Sequence, residues 1–61
     1  MLGDPVWNRV SVDLRGLQDR ITTLKRYFES AGRTDVAENL EKAIRVLMEA
    51  QNAADDLARR G

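Results

Sequence analysis

Arg9, Arg20 and Tyr27 are the side chains in this sequence whose types and spacing best suit chemistry on a ligand. On an α-helix, at about 100° per residue, all three fall within about 20° of one another. Gly16 and Thr23 lie between them on the same flank. Two guanidiniums and a phenol beside a glycine gap can hold a phosphate or a base. Arginine supplies a planar fork of donors and tyrosine a stacking surface. A plainer reading uses the same residues structurally. Gly16 lets two helices approach, and Arg9 and Arg20 pair with acids of another helix, as rim arginines commonly do. Arginine makes up eight of the ten basic residues, a bias that a GC-rich genome also produces.

Trp7, with Val6 beside it and Met1-Leu2 upstream, is a second candidate. A tryptophan at a helix start can anchor a partner. It can equally close the end of a helical core, packing near Leu57 of a returning helix, where its large apolar area is covered.

Covalent and acid–base chemistry finds little support. Histidine and cysteine are both absent, and with them the commonest general base and the strongest nucleophile. Serines and threonines are few: Ser11, Ser30, Thr22, Thr23 and Thr34. Asp55 and Asp56 are adjacent, and neighbouring helix positions diverge by about 100°. Glu38, Glu41 and Glu49 alternate with basic residues, the pattern of a solvated helix surface. No phosphate loop, dinucleotide fingerprint or metal-ligand spacing occurs. The expectation is a non-enzymatic chain with no catalytic residue, no metal site and no cofactor.

Ten basic and ten acidic residues cancel, so the chain lacks the basic footprint that duplex DNA selects. No apolar run approaches the roughly 20 residues that cross a bilayer, and no signal-peptide pattern is present. A cysteine-free chain fits the cytoplasm. A methionine start is what a complete gene product would have.

Positioning these residues falls to two apolar stripes. One runs Val10, Leu14, Leu17, Ile21, Leu24, Phe28, Ala31, and the other Val36, Leu40, Ala43, Leu47, Ala50, Ala54, Leu57. Both step alternately by four and three, an average of about 3.5 residues, which is the coiled-coil period. Gly32 lies between them. The pattern predicts an all-α fold, an αα-hairpin with helices over about 5–30 and 35–59 and a turn over 31–34. Met1 to Gly3 read as a frayed tail, and Asp4-Pro5 as a helix start. Gly16 costs the first helix about 1 kcal/mol against alanine. Gly32 suits a left-handed C-terminal cap. Thr34 or Asp35 would cap the second helix, with Glu38 completing a capping box if Asp35 does so. Arg59 and Arg60 suit the negative end of its dipole. Surface pairs four residues apart (Arg15–Asp19, Lys25–Glu29, Glu38–Lys42, Glu41–Arg45, Arg45–Glu49, Asp55–Arg59, Asp56–Arg60) add local support.

One hairpin does not satisfy this sequence. A 61-residue chain buries only about 60% of its unfolded surface, and here neither disulfides nor a zinc site can help. With Val46 on one side and Ala37, Ile44 and Met48 on the other, the apolar arc of the second helix spans about 200°, twice what one neighbour needs. A homodimeric four-helix bundle, or a higher helical oligomer, is expected, with Leu40, Ala43, Ile44, Leu47, Met48 and Ala50 at the subunit interface. Val12 stands almost opposite the stripe and would matter only in an assembly larger than a dimer. The second helix alternates large and small residues while the first supplies mostly large ones, which favours close interdigitation. The first helix carries five basic and three acidic residues and the second four basic and six acidic, so helix 1 should prefer helix 2, within or between subunits.

In length, hairpin shape and large-and-small layering the chain resembles the Rop family of plasmid-encoded RNA-binding hairpins. That resemblance implies a dimeric bundle and an RNA ligand, but no functional motif is shared. The expected function is a protein-interaction module acting as a regulator or inhibitor. The alternative is an RNA- or nucleotide-binding regulator, in the style of phage nucleotide sponges, working through Arg9, Gly16, Arg20 and Tyr27. A third possibility is a purely architectural oligomerisation or docking segment of a larger system.

Overall fold

A computed structural model describes residues 5–60 and contains two α-helices, α1 (Pro5–Ser30) and α2 (Thr34–Arg60), packed against each other. No strand occurs among the described residues. Asp4 and the segment Met1 to Gly3 lie outside them, so the expected cap and tail do too.

The turn follows from Gly32. Its φ of 78° places it in the left-handed region, which a side chain would disfavour. Around it the Gly32 N–H donates to the Glu29 carbonyl (3.1 Å) and the Arg33 N–H to the Phe28 carbonyl (2.9 Å). These two bonds form a Schellman motif and satisfy carbonyls that the end of α1 would otherwise leave open.

The start of α2 departs from expectation. The Ala37 N–H donates to the Arg33 carbonyl (3.1 Å), so Arg33 holds the capping position and neither Thr34 nor Asp35 does. Asp35 lies inside the first turn, gripped by both arms of the Arg33 guanidinium at 3.1 Å. That contact, with help from the Val36 N–H, holds its carboxyl below the usual carboxylate range. A carboxylate in a first turn also complements the helix dipole.

The helices meet along a seam that takes Leu14, Ile21, Leu40, Leu47 and Ala54 from the apolar stripes and is otherwise rotated away from them. On α1 the half-buried residues include Trp7, Ser11, Leu14, Gln18, Ile21 and Lys25. On α2 they include Leu40, Glu41, Ile44, Leu47, Gln51, Asp55 and Ala58, around the fully buried Ala37 and Ala54. Three polar pairs cross the seam. The Ser11 hydroxyl donates to Asp55, the Gln18 amide to the Gln51 carbonyl at 2.7 Å, and Lys25 pairs with Glu41 at 3.0 Å. Lys25 and Glu41 therefore bridge the helices instead of pairing with Glu29 and Arg45 along their own. Among the surface pairs expected four residues apart, Asp56–Arg60 is formed, at 3.1 Å.

The hairpin is a single layer, with Cα extents of 50 × 14 × 9 Å. Its radius of gyration is 14.3 Å, against about 10.5 Å for a compact domain of this length. Stable domains stack at least two layers around a core. Here Ala37 and Ala54 are the only buried hydrophobic residues among those described.

Candidate functional site

The α1 flank carries Arg9, Arg20 and Tyr27, all exposed. At 1.5 Å rise per residue, Arg9 lies about 16 Å from Arg20 along the axis, and Tyr27 about 10 Å beyond. The three share a face but cannot converge on one phosphate. As a set they suit only an extended ligand. An open groove on this flank is lined by Val12, Asp13, Gly16, Leu17 and Arg20. It joins Gly16 to Arg20 and leaves Arg9 and Tyr27 outside. A Cβ added at Gly16 would meet nothing within 4 Å, so the glycine opens the groove without being required by packing in the hairpin. Asp13 sets a carboxylate in the same groove as the Arg20 guanidinium, which works against a free anion there. The Thr23 hydroxyl is occupied by the Asp19 carbonyl at 3.2 Å.

A second groove near the turn is lined by Lys25, Glu29, Thr34, Ala37, Glu38 and Glu41. Its one cation is engaged: Glu41 bonds Lys25 and holds the ammonium above its ordinary pKa. Among the described residues no cluster of acidic side chains is arranged to hold a metal ion. Trp7 is half-buried, and the register of the polar pairs sets it level with the last turn of α2. Leu57, its expected neighbour, keeps 37% of its surface exposed.

The feature with the largest physical consequence is a broad apolar face. Val10, Leu17 and Leu24 each precede one of the seam residues Ser11, Gln18 and Lys25. Val36, Ala43, Ala50 and Leu57 likewise each precede Ala37, Ile44, Gln51 and Ala58. One residue is about 100° on a helix. The offset has the same hand on two antiparallel helices, so these positions of both stripes turn to the same broad face of the hairpin. Leu17 is 43% exposed, Leu24 48% and Phe28 37%. Monomeric soluble proteins rarely leave so continuous an apolar surface uncovered.

Of the residues expected at a subunit interface, Ala43 and Ala50 lie on this face and Leu40 and Leu47 between it and the seam. Ile44 and Met48 lie at or beyond the seam, toward the opposite side. The polar seam itself escaped the periodicity argument, although Ser11, Gln18 and Lys25 are spaced by seven. That spacing was its one sequence signal. No helix among the described residues is long and apolar enough to cross a membrane. No protein-family model, curated protein or solved structure matches the chain.

Proposed function

We propose that this chain is a non-enzymatic helical module that self-associates, most simply as a homodimeric four-helix bundle, and acts through protein contacts as a regulator or inhibitor. The observation that carries the reading is the uncovered face: the outer part of both heptad stripes, with Leu17, Leu24, Phe28 and Leu57 exposed, on one side of a hairpin in which Ala37 and Ala54 are the only buried hydrophobic residues among those described. Surface area supports it. A compact 6.9 kDa monomer exposes about 4,000 Å², whereas this hairpin exposes 4820 Å². The excess of about 800 Å² is what each partner of a standard interface covers. A cysteine-free chain suits the reducing cytoplasm, where we place it.

Folding and association are then coupled, and thermal melting depends on chain concentration. A hundredfold dilution from the micromolar range, followed by circular dichroism, is expected to lower the midpoint by several degrees. An unchanged midpoint would contradict the proposal.

The Gly16–Arg20 groove favours a second reading, an RNA- or nucleotide-binding regulator. An RNA contact along the α1 flank would weaken steeply with added salt, in proportion to the phosphates engaged, whereas an apolar protein interface would barely respond. Titration of a labelled RNA hairpin and of a nucleoside triphosphate at two salt concentrations separates the two readings.

A further inference from the structure

The self-association proposed above leaves open how two hairpins stack, and the geometry of the apolar face decides it. Two-fold stacking of one face on another allows two arrangements. With the axis perpendicular to the helices, the turns lie at opposite ends, and α1 covers the partner's α1 while α2 covers its α2. With the axis parallel to the helices, the turns lie together, and each α1 covers the partner's α2.

We infer that the chain dimerises in the second way, with both turns at one end and α1 of each copy seated on α2 of the other. This rests on the self-associating reading, and three observations carry it. The first is register. The cross-seam pairs Ser11–Asp55, Gln18–Gln51 and Lys25–Glu41 fix which residues of the two helices share a level. Extended along the face, that register sets Val10 level with Leu57, Leu17 with Ala50, Leu24 with Ala43 and Ala31 with Val36. An axis parallel to the helices preserves levels, so these pairs become contacts between subunits.

The second is size. Through the middle of the face, each leucine of α1 then meets an alanine of the partner's α2: Leu17 on Ala50 and Leu24 on Ala43. Large against small keeps the helix spacing even and fills the layer. The other arrangement sets leucine against leucine along one side and alanine against alanine along the other. One helix pair is forced apart and the second left with a gap, a mismatch that costs packing on both sides.

The third is charge. Between Pro5 and Ser30, α1 has five basic and three acidic residues, and between Thr34 and Arg60, α2 has four basic and six acidic. Crossed stacking puts each net-positive helix on a net-negative one. The alternative puts like on like, which penalises that pairing. In this dimer Leu40, Ala43, Leu47 and Ala50 surround the two-fold axis, whereas Ile44, Met48, Gly16 and Arg20 stay outside the contact, the groove meeting it only at Leu17.

Nitroxide labels at Arg33→Cys test the arrangement in the full chain. Cysteine is otherwise absent, and Arg33 lies in the turn with its side chain 61% exposed. Pulsed dipolar spectroscopy is expected to give an intermolecular distance below about 25 Å, because the turns sit side by side about one helix diameter apart. A distance of about 40 Å or more, the length of a 26-residue helix, would overturn the crossed arrangement and leave self-association standing. Absence of any intermolecular distance, with a single-chain mass in sedimentation, would overturn the self-association on which it rests.

Discussion

Two glycines of this chain have opposite expected responses to substitution. Gly32 adopts a positive φ, yet a Cβ there would meet nothing within 4 Å. The penalty for a side chain is therefore conformational, about 1–2 kcal/mol, and larger for a β-branched residue. Gly32→Val should lower stability in urea melts and Gly32→Asn much less, since asparagine enters the left-handed region more readily. Gly16 is helical and faces open space. Gly16→Ala should raise stability by up to about 1 kcal/mol through helix propensity. A loss of stability instead would show that another helix packs against Gly16. Arg20→Glu discriminates in the same way. It should leave the oligomer intact, because Arg20 lies off the proposed contact, and it should abolish any RNA or nucleotide binding if that second reading holds. Asp35 supplies a pH signature. Its carboxyl is lowered from 3.8, chiefly by Arg33. The stability it adds is present above that value and is lost as pH falls through the depressed pKa. Asp35→Asn should flatten the acid limb of a stability profile measured from pH 5 to pH 2 and leave the alkaline limb unchanged.

At the scale of the element, the helices and their antiparallel return were written in the heptads and in Gly32, because a 3.5-residue apolar period and a left-handed cap each have one plain structural meaning. The seam was harder to read. Periodicity finds the apolar stripe, but the contact within one chain turns away from its centre toward Ser11, Gln18 and Lys25, leaving half of the stripe for the second hairpin that we propose. Polarity alone marks such residues as solvated, and only their partners across the seam reveal otherwise. The cap of α2 was missed for a related reason: an aspartate after a turn is a common cap, but here the Arg33 fork holds it inside the first turn. The Gln18–Gln51 bond makes the seam testable. Replacing Gln18 alone by leucine strands a half-buried amide at a cost of about 1–3 kcal/mol. Replacing both glutamines by leucine should recover most of it, and a double-mutant cycle in denaturant measures the coupling. A cycle without coupling would mean that the bond contributes nothing to the register.

As a whole molecule the hairpin is a layer without a lid. Its polar seam specifies which levels meet, and its apolar face would supply, in the proposed dimer, the burial that a lone pair of helices lacks. Leu47 lies at the boundary of the two, so Leu47→Ala should cost about 2–5 kcal/mol and make melting still more dependent on concentration. The candidate ligand flank was legible only as a shared helix face. Its spread of about 27 Å from Arg9 to Tyr27 appears once the axial rise is applied. The central claim, that the apolar face is covered by a second copy, is tested most directly by sedimentation equilibrium of the unaltered chain at micromolar concentration, beside the Leu24→Asp variant. The account predicts twice the 6.9 kDa chain mass for the unaltered chain, and dissociation with loss of helicity for the variant. A folded species of single-chain mass, equally helical with and without Leu24, would contradict it.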